Sequence, residues 1–530
     1  MSDLHQSSQP VLSALSVEDA AREFGVSKST IRNWIRLGHI DSVGRSGVDY
    51  DSLMRFRRDV IGDKKLNHRT NKQHKKSQDS RTPYNPLQWQ SYEPSLDESH
   101  RNKEGIYYTP ENIVEDLCSL IAPCDFSDKL FLDPCCGSGN FLIQALKMGF
   151  LPQNIYGFDT DAQAVAITRQ RIKEFTGVSS RNIKCADFLD IADSLPLRAD
   201  YIFTNPPWGK KIDRAVRQQL FNRYSAGRSA DSSSLFIYAS LMLLKRGGSI
   251  GFLLQEAFFN VAAYSHIRER LFGMNVDYLI DYGRPFKSIL TKAQAIVATD
   301  VEGAFSPIIC RYGGVEYIRS RASFGCNPQL IFNMTVTPAD SELIERILKS
   351  DGSITLGGNA QWGMGIVTGD NSRYCSPKPR VGYREVWRGA EVVQGGFKPA
   401  VLYIDPNLSQ YQQVAPIEAY ESPCKIVYKF ISSRLCFACD TEQRFILNSA
   451  NFLILADDFP ISAEELVKFL NCDFTNWLFQ KIFSTRKILR SNLEMLPIFL
   501  ECFDNGRFCE ATYLDRLHVK KVESGGFVTT

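Results

Sequence analysis

Between residues 104 and 300 short apolar runs alternate with amphipathic stretches. Leu130–Asp133, Ile155–Asp159, Ile183–Asp187, Tyr201–Asn205, Ser249–Leu254, Tyr278–Asp281 and Ala295–Ala298 read as strands. Ala162–Phe175 and Ser234–Lys245 carry the helical period. Strands alternating with helices predict an α/β fold, an open and largely parallel sheet covered on both faces. From 301 to 520 the pattern mixes strand-like Ile426–Phe430 and Phe445–Leu455 with helical Ala339–Leu348 and Ala463–Ile482, which predicts a separate α+β domain. The longest apolar run, Leu235 to Leu244, is closed by Lys245, Arg246 and two glycines. It falls far short of the ~20 residues a membrane span needs.

The N-terminal pattern is different. Leu15, Val17, Ala20, Ala21 and Phe24 mark a short amphipathic helix with Ser16 as its N-cap. Gly25-Val26-Ser27 makes a turn, and Lys28–Leu37 forms a second helix with Ile31, Trp34 and Ile35 on its apolar face, ended by Gly38. Ser42–Tyr50 then reads as a wing and Leu53–Arg58 as a closing helix. This arrangement resembles the winged excisionase/MerR-like helix–turn–helix modules. In these the second helix enters the major groove, so the resemblance implies that Ser27, Lys28, Ser29, Arg32 and Asn33 face DNA. The competing reading is a helical hairpin used for protein contact. Residues 61–100 are polar, rich in Lys, Asn, Gln, His and Ser, and read as a linker. The expected division is therefore 1–60, 61–100, 101–305 and 306–530.

Charge sharpens that division. The 530 residues carry a net +3, but residues 1–81 hold fifteen Lys/Arg against ten Asp/Glu, and residues 52–81 ten against three. A basic N-terminal segment on a near-neutral body suits contact with a polyanion, or a solvated linker. An apolar fraction of 44% excludes global disorder. The opening residues lack a basic region followed by an apolar one, so no secretory leader is expected and the protein is expected to be cytoplasmic. The fourteen cysteines are scattered, with Cys436 and Cys439 a lone CxxC; buried or free thiols are expected, and no metal site.

The candidate chemistry sits at strand ends. Asp133-Pro134-Cys135-Cys136-Gly137-Ser138-Gly139-Asn140-Phe141 lies between a strand and a helix, where Gly137 and Gly139 allow a tight turn and close backbone approach to a ligand. The third glycine of GxGxxG is missing, which disfavours a dinucleotide. Asp133 can hold an ammonium group, which suits the amino-acid moiety of S-adenosylmethionine (SAM). Asp159 closes the next strand and is placed to accept two ribose hydroxyls. Asp187 closes the third and can accept from an adenine amino group, with Phe188 to cover the ring. Each aspartate alone could simply cap a helix; three at successive strand ends favour a nucleoside site. Thr204-Asn205-Pro206-Pro207-Trp208-Gly209 follows at the end of the fourth strand. An aromatic exocyclic amine is a poor nucleophile, because its lone pair is delocalised. An Asn side-chain oxygen and a backbone carbonyl that each accept one amine hydrogen aim that lone pair outward. Two prolines stiffen the loop, and Trp208 offers a face on which a base can stack. Positioning and preorganised hydrogen bonds suffice, and no strong general base is needed.

Together DPCCGSGNF, FDTD, ADF and NPPW resemble the γ-class SAM-dependent DNA adenine-N6 methyltransferases of restriction–modification systems. The resemblance covers roughly residues 104–500. It implies a Rossmann-like methyltransferase core, SAM contacts from Thr109 and Pro110 of GIYYTP and from Asp133, Cys135, Gly137, Gly139, Phe141, Asp159, Asp187, Phe188 and Asn205, and catalysis by Asn205, Pro206, Pro207 and Trp208. Tyr282-Gly283-Arg284-Pro285-Phe286 resembles the family loop whose aromatic residue packs on the extruded base, which makes Phe286 a second stacking residue. GMGIVTGDN (363–371), Arg388-Gly389-Ala390-Glu391, Lys425–Lys429, Asn448 and 470–496 resemble the Taq-type target-recognition domain. A methyltransferase acting on duplex DNA must extrude its base. Lys378, Arg380, Arg384, Arg388, Lys425, Lys429, Arg486, Lys487 and Arg490 are the candidate phosphate contacts. The partners implied are double-stranded DNA and a separately encoded restriction endonuclease, with a monomeric enzyme and no built-in nuclease. The alternatives are an RNA or protein-glutamine methyltransferase, a non-catalytic DNA-binding regulator on the same core and, weakest, a dehydrogenase.

Overall fold

A computed structural model describes residues 14–23, 28–36, 40–43, 47–56, 107–210, 212–226, 232–286, 291–301, 303, 305–523 and 525–530. The chain divides into two compact units, 1–84 and 85–530. In the first, strands β1 (Ala14–Ser16), β2 (Ser42–Val43) and β3 (Gly47–Asp49) form a small antiparallel sheet in the order β1-β3-β2. Helices Val17–Glu23, Lys28–Arg36 and Tyr50–Phe56 accompany it. The Ser16 hydroxyl accepts from Asp19 N at 3.0 Å, the capping geometry expected of it. Leu15, expected on the first helix, instead pairs with Val48 in the sheet. Ala20, Ala21, Ile31, Ile40, Val48, Leu53 and Phe56 make the buried core. The wing strands Ser42–Val43 and Gly47–Asp49 are present, but the closing helix, expected at Leu53–Arg58, begins at Tyr50, inside the span read as wing. Residues 44–46, 57 and 58 lie outside the described residues. Phe24, the Gly25-Val26-Ser27 turn, Leu37 and Gly38 lie outside the described residues, as does the 61–100 linker.

The second unit is built on a nine-stranded sheet. Its strands are β4 (Phe131–Asp133), β5 (Ile155–Asp159), β6 (Ile183–Cys185), β7 (Ala199–Thr204), β8 (Leu244–Gln255), β9 (Asn275–Asp281), β10 (Ala293–Thr299), β11 (Ile308–Tyr312) and β12 (Val315–Arg319). The order is β6-β5-β4-β7-β8-β10-β9-β11-β12. Strands β6 to β8 run parallel, and β10 is antiparallel to both neighbours. Alternate side chains feed two cores, one per face: Ile202, Leu279 and Ile296 go to one, and Phe203, Ile280 and Val297 to the other. All seven strands read from the apolar runs are present, with ends shifted by a few residues.

The expected domain boundary at 305/306 falls inside this sheet. β11 pairs parallel with β9, and β12 closes the edge. Ile308, Cys310, Phe324, Phe332 and Met334 share a core with Ile250 and Leu279, while the next core begins with Ile331 and Val336. The change of domain therefore lies at 331–336. Edge strand β12 leaves Val315 and Ile318 exposed, so its residues carry no alternating burial signal to read.

The C-terminal domain holds a four-stranded antiparallel sheet, Ala360–Met364, Ala450–Leu455, Lys425–Lys429 and Phe437–Asp440 in that spatial order. A second sheet contains Cys375–Ser376, Leu402–Ile404, Arg384–Trp387 and Phe445–Ile446. The run 445–455 is thus split between two sheets. The run 463–482 is split as well: Cys472 is extended (ψ 158°) and ends helix Ala463–Asn471, and its sulfur accepts from Thr475 N at the start of Asp473–Phe483. Cys436 and Cys439 do not act as a pair. Cys436 points to the Val392 carbonyl, and Cys439 lies 3.3 Å from the sulfur of Cys424.

Candidate active site

Strand order reverses at β4, since the chain leaves it toward β5 and β6 and later returns on its other side with β7. A crevice opens at the carboxyl ends of strands on either side of such a reversal. Here it forms a cavity of about 610 Å³ whose walls include Thr109, Asp133, Cys135, Gly137, Phe141, Asp159, Asp187, Phe188, Asn205 and Pro207.

The loop after β4 can pass this cavity only with glycine at its bends. Gly137 has φ 49° and Gly139 φ 87°. A Cβ on Gly137 would meet the Tyr108 ring at 2.8 Å, and one on Gly139 the Thr168 side chain at 2.7 Å. Thr168 also donates to the Gly137 carbonyl (2.7 Å), and Asp159 accepts from Gly137 N (2.9 Å) and Asp161 N (2.9 Å). Asp133 accepts from the Thr204 hydroxyl (2.6 Å) and Cys135 N (3.1 Å). Burial pushes the Asp133 carboxyl up to about 7 despite those bonds, and burial raises that of Asp159 too. Two buried carboxyls lacking full charge compensation suit a cationic, hydroxyl-bearing ligand.

Asn205 stands at the end of β7. Its Nδ2 donates to the Tyr107 carbonyl (2.8 Å), while its Oδ1 is buried without a hydrogen-bond partner. A buried unsatisfied acceptor costs about 1–3 kcal/mol, which a ligand's N–H would recover. The Ser232 hydroxyl donates to the Pro207 carbonyl (3.0 Å) and ties the Asn-Pro-Pro loop to helix Ser232–Leu243. A second amide, Asn140 Nδ2, donates to the Thr109 carbonyl (2.8 Å). The segment 107–109 is thereby fastened to the end of β7 and to the start of helix Asn140–Met148.

Some expected roles take another form. Trp208 and Phe286 do not present open faces. Both are buried, with ring centroids 5.2 Å apart at 88°, and Tyr107 packs on each. Trp208 Nε1 donates to the Leu253 carbonyl (3.3 Å), as a core residue would. Phe188 lines the cavity but is stacked on Phe236 (6.0 Å, 13°). Asp187 caps helix Phe188–Ile191 through Leu189 N as well as lining the cavity. Pro110 is the residue preceding helix Glu111–Ser119. Pro110, Gly139 and Pro206 stand behind the cavity residues rather than among them. Tyr107, Tyr108, Asn140, Lys210 and Ser232 line the cavity without standing out in the sequence. Tyr107, Tyr108 and Asn140 lie within the GIYYTP and DPCCGSGNF motifs and Lys210 just follows NPPWG, whereas Ser232 has no local signal.

The candidate DNA contacts divide in the same way. Lys425 is fully buried, paired with Asp440 (2.6 Å) and donating to the Tyr420 carbonyl, so it is a structural residue and touches no phosphate. Burial works to raise the Asp440 pKa, but Lys425 and then Arg444 outweigh it and hold the carboxylate below its usual range. Arg388 is bonded to Glu391, Arg384 to Glu421 and Arg490 to Glu494. Lys378, Arg380, Arg486 and Lys487 are exposed and Lys429 half-buried. In the first unit Lys28 pairs with Glu18 (2.6 Å) and Arg32 is exposed. Ser27 and the side chains of Ser29 and Asn33 lie outside the described residues.

A largely parallel sheet with β10 and edge strand β12 antiparallel, a glycine cradle, strand-end carboxyls and an Asn-Pro-Pro-Trp loop define a nucleoside-dependent transferase. Comparison with known proteins makes the class specific. Residues 91–280 match the N-6 DNA methylase family, 384–498 the TaqI-like C-terminal specificity domain and 14–61 a helix-turn-helix domain. The chain is 40% identical over 400 residues to the type II methyltransferase M.VspI of Vibrio sp. (strain 343), covering 72% of this chain and 97% of that one. It is 28% identical over 160 residues to the type II methyltransferase M.BanIII of Aneurinibacillus aneurinilyticus, 26% of this chain and 27% of the other. The fold is shared with the type IIL restriction–modification enzyme MmeI, solved in complex with DNA, at a TM-score of 0.53 and 12% identity over 78% of this chain and 70% of that one. The chain belongs to the N-6 DNA methylase family, among the type II methyltransferases. It is a DNA methyltransferase of the restriction–modification type.

Proposed function

We propose that this enzyme methylates N6 of adenine at a specific sequence in duplex DNA, using SAM, as the modification partner of a separately encoded endonuclease. The observation that carries the reading is the buried, unpartnered Oδ1 of Asn205 on the wall of a cavity that Asp133 and Asp159 also line. The residues fit the cofactor: Asp133 would hold its ammonium, Asp159 its ribose hydroxyls, and Gly137 gives the backbone clearance. When bound, SAM supplies an electrophilic methyl group on a sulfonium. Asn205 Oδ1 accepts one hydrogen of the target amine and a backbone carbonyl of the Asn-Pro-Pro loop the other, which draws the nitrogen lone pair out of the aromatic ring. Tyr107 holds the Asn205 amide in the rotamer that keeps Oδ1 available. Trp208 and Phe286 stack on the extruded adenine once their edge-to-face contact opens. Exposed Arg486, Lys487 and Lys378 hold backbone phosphates, and the N-terminal module adds a contact of its own through Lys28 and Arg32.

The test is methyl transfer from labelled SAM to unmethylated duplex DNA, followed by nucleoside mass analysis. N6-methyladenine confined to a subset of adenines supports the proposal. Label in RNA or protein, or in cytosine, refutes it.

A further inference from the structure

The turn 430–436 of the C-terminal domain, between strands Lys425–Lys429 and Phe437–Asp440, is laced to the segment 484–488. Ile431 bridges Lys487 in antiparallel fashion, Ser432 N donates to the Arg486 carbonyl (2.9 Å), and Ile488 N donates to the Phe430 carbonyl (2.8 Å). Phe430 N is itself bonded to the Ser449 carbonyl (3.0 Å). The result is a short two-stranded ribbon whose backbone is fixed from both sides.

The ribbon is tied to the end of the sheet at which the catalytic cavity opens. The Ser484 carbonyl accepts from Asn260 Nδ2 (3.4 Å), and Asn260 ends the helix Ala257–Asn260 that follows the carboxyl end of β8. β8 is parallel to β7, so that end is the one on which Asn205 stands. Asn333 Nδ2 to the Lys481 carbonyl (3.0 Å) and Lys481 to Asp340 (2.6 Å) brace the same junction. Lys487 is three residues from Ser484, a reach of at most ~11 Å.

On this ribbon Ile431 is 62% exposed. Its bridge partner Lys487 and the adjoining Arg486 are exposed, and Lys429, two residues before it in the chain, is half-buried. A solitary exposed aliphatic side chain is ordinary on a protein surface. This one differs in three ways: its backbone is pinned, its neighbours include cations suited to phosphates, and the segment it pairs with is tied to the helix that follows the carboxyl end of β8. Extruding a base leaves a gap in the stack, and apolar side chains inserted between bases offset unstacking. The aromatic trio Tyr107, Trp208 and Phe286 is closed on itself, so no preformed slot lowers that cost from the cavity side.

Resting on the proposed DNA activity, we infer that Ile431 is a wedge that enters the duplex beside the target adenine and fills the space it vacates. The experiment compares Ile431→Ala, Ile431→Leu and wild-type protein on a duplex carrying the site the wild type methylates. In one substrate the target adenine is paired with thymine, and in another it is mispaired with cytosine, which already weakens its stacking. Ile431→Ala should lose about tenfold in kcat/KM on the paired duplex, yet stay within about twofold of wild type on the mispaired one. Ile431→Leu should match wild type on both. An alanine variant equal to wild type on paired DNA, or equally impaired on both substrates, overturns the wedge. A wild-type protein that labels no DNA refutes instead the function on which the wedge rests.

Discussion

Asn205 is oriented by its own amide nitrogen. Because Nδ2 is committed to the Tyr107 carbonyl, the oxygen is left to face the cavity, and the residue enters the reaction already aimed. Asn205→Ala should therefore lower kcat by about a hundredfold or more while weakening SAM binding far less, as removal of a preorganised hydrogen-bonding group does. Single-turnover kinetics beside a binding titration separates the two effects, and near-normal turnover excludes the assigned role. Asp133 makes a prediction in pH. Its carboxyl, raised from 3.8 to about 7 by burial, keeps in the folded protein a proton that the unfolded chain releases. The associated stability is full below about pH 4 and is lost as pH rises through about 7. A cationic ammonium prefers the ionised form, so SAM affinity should climb between about pH 6 and about pH 8 and then level off. Titration calorimetry across that window tests this. A flat profile would show that Asp133 does not hold the ammonium, and Asp133→Asn should flatten the profile of the wild type.

At the scale of elements, the strand pair Lys425–Lys429 and Phe437–Asp440 encloses an ionic centre. Asp440 accepts from Lys425 (2.6 Å) and Arg444 (2.8 Å), and both Lys425 and Asp440 are fully buried. Breaking a buried pair from one side leaves a charge that water cannot reach. Lys425→Met should cost about 3–5 kcal/mol of unfolding free energy, read from denaturant midpoints, without altering the cavity around Asn205. A loss below about 1 kcal/mol would mean that Arg444 alone neutralises Asp440. Element boundaries obey the same logic of local partners. The helical run 463–482 starts at the Ser462 hydroxyl cap and breaks at Cys472, whose sulfur caps a second helix. No helix among the described residues is long and apolar enough to cross a membrane.

Across the whole molecule, a catalytic sheet and a specificity domain share one compact unit, and a small winged helix–turn–helix forms another. The basic excess of residues 1–81 belongs to that smaller unit. Deleting residues 1–80 should weaken duplex binding and make log affinity less dependent on log salt, by about 0.9 for each phosphate that the module neutralises. The measurement is a binding series over several salt concentrations. An unchanged slope and affinity would leave the module a role other than DNA binding.

The local grammar of the chain determined much of this. Strand ends carry Asp133, Asp159, Asp187 and Asn205 because an apolar run stops where the backbone meets a polar ligand or a helix start. Gly137 and Gly139 announce a bend because no other residue tolerates it at those close approaches. Periodicity reports how far a side chain is buried, however, and not what it is buried against. Only the tertiary structure could show that Tyr107 holds Asn205 across 98 positions, or that Lys425 faces inward to Asp440. Trp208 and Phe286 read as stacking platforms, but they pack on each other because both rings are apolar and the loops that carry them meet. The hairpin β11–β12 joins the catalytic sheet through pairing with β9, a partnership set by backbone hydrogen bonds that no side chain encodes. Ile431 is one more isoleucine in the sequence. Its pairing with Lys487, from a segment fastened to the helix that follows the carboxyl end of β8, is what makes its exposure consequential.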